Sequence, residues 1–541
     1  MRGADLLVTT LSHLGVGNIF TLSGNQIMSI FDASLETTID LLHVRHEAAA
    51  VHAADTWGRL KGEPGIALVT AGPGFANTLS ALYVAMEAES PMVLLSGHSP
   101  LKDQGRGAFQ EMAQSEMAKP VTKSSWTSTD SSTVAHDIAR AFKLAHSGRP
   151  GPVHVALPSD VLEGIASSEN NPTVDISIPP LPNRMTSDNI NTILSAIQSS
   201  KRPVVLPGQA VSRVGEKSLS DLCAITSIPT VTMESPRGVK DPSLGAFAEV
   251  LAESDLVLLL GKKLDFGLMF GESPSLSDHC KIIHIDHDES ALEQTRIALN
   301  QSDRLIVAAQ ADPIEAAQHI SESVKFSVDK TWIREVQSAT SYVPAEWSEL
   351  GTITQDGPLH PVAVCKVVQD VLNERDSIFV SDGGEFGQWT QACISSPHRV
   401  INGPGGAIGG SIPAAIAARL AYPNATVIAM LGDGTFGFHG MEFDTAVRYN
   451  LPIIVVVGND AKWNAECQIQ IREYGHDRMV GCELGSARYD LVAQALGGHG
   501  ENVTVGTELG PALHRALDSG LPSCINVSIQ PVPAPIVTRI K

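Results

Sequence analysis

Between residues 431 and 464 the chain reads LGDGTFGFHGMEFDTAVRYNLPIIVVVGNDAKWN. An apolar run ends in Gly432-Asp433-Gly434-Thr435, an amphipathic stretch follows, and a second apolar run ends in Asn459-Asp460. In a parallel βαβ unit the carboxyl ends of the two strands lie side by side. Asp433 and Asp460, 27 positions apart, would then face a common point and could share one hard divalent cation. Mg²⁺ takes a near-octahedral oxygen set and readily completes it with phosphate oxygens. Gly432 and Gly434 would let the backbone approach a diphosphate, with Thr435 and the N–H groups of the following helix beside it. A GDG triplet alone is an ordinary turn; the second acid-bearing strand end is what points to a metal–diphosphate site.

Such groups need strand ends to carry them, and the chain supplies these throughout. Short apolar runs alternate with longer amphipathic segments: IALVTAG (66–72), PMVLLSG (91–97), PVVLPG (203–208), LVLLLG (256–261) and SIFVSDGG (377–384). Most end in Gly or Asp, where a parallel strand hands over to a loop and helix. The pattern predicts an α/β protein of three doubly wound parallel sheets, with ligands at the carboxyl ends of the strands. Residues 168–188, rich in Pro, Ser and Asn, read as a linker, and the irregular polar stretch 325–360 reads as a second boundary. Domains are expected at 1–168, 185–330 and 350–541, in line with about 150 residues per domain.

GDG followed some two dozen residues later by a strand-end Asn pair marks thiamine diphosphate (ThDP) enzymes. The chain resembles their acetohydroxyacid synthase-type superfamily over nearly its whole length. The resemblance implies a pyrimidine-binding first domain, a central domain, and a third domain that binds diphosphate and Mg²⁺. The usual second Asn is Asp460 here. That position is the family's metal ligand, so tighter or more pH-sensitive metal binding is expected; the carbonyl of Lys462 would be a further ligand. LLHVRHEAAAVHAADTWGRLKG (41–62) is similar to the segment carrying the catalytic glutamate, which falls on Glu47. A carboxyl there hydrogen-bonds N1′ of the aminopyrimidine and promotes its imino tautomer. Taken alone, Glu47 would be a helix-start residue beside a dipole. In TAGPGFAN (70–77), Pro73 and the glycines beside it would pack under the pyrimidine, with Asn77 in the same cleft. In GPGGAIGGSIPAAIAARL (403–420), Gly406 would hold the 4′-amino group through its carbonyl, and Ile408 would be the wedge that bends the cofactor. SDGGEFGQW (381–389) is similar to the diphosphate loop, with Gly384 and Glu385 as candidates. An acid at 385 is awkward beside a diphosphate unless it points away or meets the metal.

On the substrate side, GRGAFQEMAQSEMAKPVTK (105–123) resembles the Phe-Gln-Glu loop of acetohydroxyacid synthases and 2-hydroxyacyl-CoA lyases. Gln110 would face the reacting oxygens and Phe109 would shape the pocket. Pyruvate decarboxylases carry paired histidines in this region; their absence argues against simple aldehyde release. Asn25, in a strand-end loop, is a substrate contact by resemblance, and Trp463 belongs to a lid. The middle block resembles an FAD- or ADP-binding domain, in which CoA is a further candidate ligand, with Asp286 and Asp288 near a ribose. Gly261-Lys262-Lys263 replaces the usual Gly-Ala-Arg, and losing the planar, bidentate Arg weakens the case for FAD.

The expected activity is acetolactate synthase-like carboligation of 2-oxo acids, a transferase reaction. The alternative is a lyase or decarboxylase like 2-hydroxyacyl-CoA lyase, oxalyl-CoA decarboxylase or benzaldehyde lyase. A more remote reading is a non-catalytic nucleotide-binding paralogue whose metal site has drifted. The resemblance implies a homodimer at least, and commonly a homotetramer. Composition bounds these readings. The 541 residues carry 38 Lys and Arg against 59 Asp and Glu, a net charge of −21. So acidic a surface disfavours nucleic acid and anionic membranes as partners. No run approaches the roughly 18 apolar residues of a membrane span. Seven scattered cysteines without any CxxC support neither a disulfide framework nor a zinc site, and a cytoplasmic location is expected.

Overall fold

The computed structural model describes residues 1–166, 185–300, 302–324, 327–353 and 357–539. Most of the expected linker, 168–188, therefore lies outside the described residues. Tight packing groups the chain into two units, Met1–Ile178 with Leu350–Ala534, and Pro179–Glu349 with Pro535–Lys541.

In the first unit, strands β1 (Asn18–Thr21), β2 (Asp40–His43), β3 (Gly65–Val69), β4 (Met92–His98), β5 (Ser124–Thr127) and β6 (Pro152–Pro158) form one six-stranded sheet. Its order is β2-β1-β3-β4-β6-β5. The second unit holds β7 (Pro203–Pro207), β8 (Leu256–Leu260), β9 (Lys281–Asp286) and β10 (Leu305–Gln310), in the order β10-β9-β8-β7. Returning to the first unit, β11 (Ser377–Ser381), β12 (His398–Val400), β13 (Thr426–Gly432), β14 (Ile454–Asn459), β15 (His499–Val503) and β16 (Ser523–Ser528) pair in the order β12-β11-β13-β14-β16-β15. Strand neighbours in all three sheets run parallel. Helices cover both faces, which is why β3, β4, β6 and β14 are buried at every position and read as unbroken apolar runs.

The first and third sheets have one and the same topology. In each, the chain reverses its direction of travel across the sheet between the first and third strands, the place where ligands collect in open α/β sheets. The loops after β1 and β3 meet at one such point, and those after β11 and β13 meet at the other.

Two alanine-rich helices join these halves. Helix Glu47–Lys61 is stopped by Gly62 in the left-handed region, at φ 70°, where a residue without Cβ is favoured. It packs against helix Ser411–Ala421, and Ala48, Ala49, Ala53, Ala414, Ala415 and Ala418 belong to one buried cluster. Small side chains let the backbones approach while still favouring helix. The seam is also hydrogen-bonded. His43 N donates to the Tyr449 hydroxyl at 2.7 Å, Arg448 donates to the His43 carbonyl at 2.6 Å, and Arg59 donates to the Ile401 carbonyl at 2.7 Å.

The second unit differs from the sequence expectation in one respect. Helix Lys330–Thr340 stands within the stretch read as an irregular boundary, and its Trp332, Val336 and Ala339 are buried in that unit's core. Their helical spacing is masked in the sequence by polar neighbours on the other face.

Candidate functional site

β13 and β14 pair in register with Gly432 opposite Gly458, so Asp433 and Asn459 begin the two adjoining turns and Asp460 lies one step further. The Asp433 and Asp460 side chains come within hydrogen-bonding reach of each other. Asp433 is buried, and its Oδ2 has no hydrogen-bond partner. Burial pushes Asp433 up to about 6. Burial, and then the neighbouring Asp433 charge, push Asp460 up to about 7. A buried and a half-buried carboxylate pressed together in this way resist ionising in the absence of a cation. An unsatisfied carboxylate oxygen in such a pair fits a divalent metal, and its acceptor-only chemistry suits Mg²⁺. Among the described residues no group of three His, Cys, Asp or Glu side chains is arranged for a metal. Two carboxylates leave the remaining positions to backbone and phosphate oxygens. The Lys462 N–H donates to Asp460 Oδ1 at 3.2 Å, and its ammonium pairs with Glu483.

Room for a diphosphate is built from absent side chains. A Cβ added at Gly434 would stand 2.6 Å from the Trp463 ring, so the indole packs against that glycine. Gly384 adopts φ 80° with nothing within 4 Å of an added Cβ. Thr435 is buried beside them. Glu385, expected in the cofactor loop, has a backbone partner. Its carboxylate is buried and accepts the Ala534 N–H at 3.0 Å, tying down the C-terminal segment of this unit.

The wedge loop is stapled by a residue that the sequence reading passed over. Asp382, fully buried after β11, accepts N–H groups from Gly383 at 2.8 Å, Gly409 at 3.0 Å and Ser411 at 3.0 Å. Burial raises its pKa despite these donors. It occupies the same place after β11 as Asp433 does after β13, which was the available signal. Ile408 is half-buried, and its Cγ2 would meet a Cβ on Gly383 at 2.8 Å. Gly406 is exposed at φ 66°. His439 donates from Nδ1 to the Gly409 carbonyl at 2.7 Å, and its ring stands 5.7 Å from that of His46, the residue before Glu47.

Glu47 opens its helix half-buried, and Oε2 accepts the Asn77 amide at 2.9 Å. A Cβ on Gly74 would stand 3.4 Å from Glu47 Oε1. The structure thus brings together Glu47, Asn77 and the turn that Pro73 opens, across 30 residues of sequence. Among the described residues no hydrogen bond joins Glu47 to the Asp433–Asp460 pair within one chain. The backbone just ahead of Glu47 is fixed by Glu442, another residue missed from sequence, which accepts the Arg45 N–H at 2.9 Å.

Gln110 packs on the same turn. A Cβ on Gly72 would lie 2.9 Å from Gln110 Cβ, and Gln110 itself sits at φ 59°. Glu111 sets this loop by accepting N–H groups from Gly107 and Ala108 at 3.1 and 3.0 Å, and backbone donors hold its carboxyl below the usual carboxylate pKa. Asn25 and Phe109 line one cleft together with Arg106 and Gln26. From behind, Gln114 accepts the Gly72 N–H at 2.9 Å and donates to Ser96 at 2.7 Å, and Ser96 meets His154 at 2.8 Å.

In the second unit, neither acid expected near a ribose remains available. Asp286 is fully buried and accepts the Asp288 N–H at 2.9 Å, while Asp288 caps helix Glu289–Ala298 through the Ser290 N–H. Lys262 pairs with Asp265. These contacts give FAD no support.

Residues 1–117 match the family described as "Thiamine pyrophosphate enzyme, N-terminal TPP binding domain", 190–311 its central domain, and 382–527 its C-terminal TPP binding domain. The chain is 33% identical to a "Probable acetolactate synthase" of Mycobacterium bovis over 98% of this chain and 96% of that one. It is 30% identical to a "2-hydroxyacyl-CoA lyase 2" of Caenorhabditis elegans, covering 97% and 87% of the two chains. A "2-hydroxyacyl-CoA lyase" of Arabidopsis thaliana is 29% identical, covering 98% and 96%. The paired strand-end acids, the Glu47–Asn77 contact and these full-length matches agree: the chain belongs to the thiamine pyrophosphate enzyme family.

Proposed function

We propose that the protein is a Mg²⁺-dependent ThDP carboligase of 2-oxo acids, similar in activity to acetolactate synthase. The observation that carries the metal-dependent reading is the buried, unpartnered Asp433 oxygen on a side chain that neighbours Asp460. Asp433 and Asp460 would hold the metal with the Lys462 carbonyl, and Gly432, Gly434, Thr435 and Gly384 would admit the diphosphate. Pro73, Asn77, Gly406 and Ile408 would hold the pyrimidine and the bend. When bound, ThDP supplies an electron sink for making or breaking a bond beside a carbonyl carbon.

The chain's own groups do the rest. Glu47 holds and exchanges a proton at its carboxyl, which the Asn77 amide keeps oriented. Gln110 meets the substrate's oxygens, Phe109 and Asn25 shape the entrance, and Trp463 covers Gly434 and keeps water out. By resemblance to the family, a homodimer that pairs this block with the third block of another copy is the smallest complete unit, and a tetramer is compatible with it. Free thiols at all seven cysteines accord with a reducing cytoplasm. Among the described residues no helix is long and apolar enough to cross a membrane.

A second reading, cleavage of 2-hydroxyacyl-CoA compounds, is favoured by the full-length similarity to such lyases. Titration with ThDP, with and without Mg²⁺, followed by circular dichroism tests cofactor binding. Binding is expected to need the metal. Product analysis with pyruvate and with a 2-hydroxyacyl-CoA then separates the readings. Acetolactate formation supports the first, and turnover confined to the CoA thioester supports the second.

A further inference from the structure

Gln26 was not singled out in the sequence, where the neighbouring Asn25 drew attention. Gln26 is 6% exposed, whereas Asn25 is open to solvent. It sits in the loop after β1, and Thr70 sits in the loop after β3, on either side of the first sheet's reversal point. The Thr70 hydroxyl donates to Gln26 Oε1 at 2.7 Å. Gln26 Nε2 donates in turn to Gln110 Oε1 at 2.8 Å. A primary amide has an accepting end and a donating end, so each link fixes the direction of the next. Gln110's carbonyl oxygen is occupied, and its amide nitrogen has no partner among the described residues. Gly72 lies close to Gln110, since an added Cβ there would stand 2.9 Å from Gln110 Cβ.

We propose that Gln26 is a positioning residue which, held by Thr70, turns Gln110 so that its NH₂ group, not its carbonyl, faces the cleft as a donor to a substrate oxygen. The inference deepens the functional reading above and rests on it for the identity of the substrate. A preset donor favours substrates whose carbonyl or carboxylate oxygen gains negative charge during reaction. Its orientation costs nothing at the moment of reaction, which is how such donors contribute most.

Gln26→Glu keeps the side chain's length and can still accept from Thr70, but its carboxylate cannot donate to Gln110. It would accept from the Gln110 NH₂ instead and turn the carbonyl oxygen outward. At pH 8 kcat should fall on the order of 100-fold, as for loss of one oriented donor, with KM and ThDP affinity changed by less than about twofold. Gln26→Glu combined with Gln110→Leu should be no slower than Gln110→Leu alone, because the two act through one group. Lowering the pH protonates the introduced carboxyl and restores a donor, so the ratio of variant to wild-type rate should rise toward acid. Thr70→Val, which adds no charge, should also lower kcat and be non-additive with Gln110→Leu. Selective ¹⁵N-glutamine labelling reads the orientation without turnover. The Gln110 NH₂ signal, assigned by its loss in Gln110→Leu, should exchange freely with water in wild type and slowly in Gln26→Glu. Multiplicative losses, a flat pH ratio or unchanged exchange would overturn the proposal. Wild type turning over no donor would sink the functional reading instead, while the exchange measurement still decides the orientation.

Discussion

Among the described residues Glu47 has one side-chain hydrogen-bond partner. The Asn77 amide holds Oε2, and Oε1 faces the space that Gly74 leaves open. Replacing the carboxyl by an amide keeps the shape but removes the exchangeable proton. Glu47→Gln is therefore expected to bind ThDP normally by circular dichroism while turnover falls by about 100-fold or more. Undiminished turnover would remove Glu47 from the mechanism. Glu385, an acid in a cofactor-like loop, accepts the Ala534 N–H. Asp382 is a buried acid whose three backbone donors make it the brace of the wedge loop.

Elements reach these residues through close approach. β3 lies directly on helix Glu47–Lys61, and a Cβ at Gly65 would stand 2.0 Å from the Ala54 carbonyl oxygen. Neither partner is a flexible side-chain end, so strand and helix must separate. Gly65→Ala should cost about 3 kcal/mol and lower the melting temperature by several degrees in a fluorescence melt. Gly437→Ala makes the contrast: it lies on the exposed face of helix Asp433–His439, with nothing within 4 Å of an added Cβ. There the change should be neutral or stabilising by up to about 1 kcal/mol. A melt in which both variants fall equally would refute the close-approach argument.

At the scale of the whole molecule, buried histidines set a dependence on pH. His52 packs on the Gly410 backbone in the seam, and His154 lies inside the first sheet between Ser96 and Ser125. Burial pushes both down to about 3. The unfolded chain takes up these protons near pH 6.5, so between about 6.5 and 3 it holds more protons than the folded one. Their contribution is fully present above pH 6.5 and is lost as the pH falls through this window. From pH 7 to pH 5 each histidine should remove about 2 kcal/mol. Asp382 and Glu442, raised by burial, act in the opposite sense, since their contribution is lost as the pH rises. Urea unfolding at pH 7 and pH 5 should therefore show a shallower loss in His154→Gln than in wild type. Equal losses would show that His154 does not bind its proton on unfolding.

The sequence by itself determined the βα rhythm, the three parallel sheets and the position of the GDG turn. Each of these follows from local periodicity and from glycines at strand ends. It also made Asp433 and Asp460 candidates, because a strand–helix–strand unit of that length brings its ends together. Only the tertiary structure decided that the first and third sheets share one strand order, that Glu385 accepts the Ala534 N–H, and that helix Lys330–Thr340 belongs to the second unit's core. It alone aligned Thr70, Gln26 and Gln110, drawn from three loops up to 84 residues apart. The direction of an amide is set by the donors and acceptors around it, and these come from chain segments that meet only once the sheet has formed.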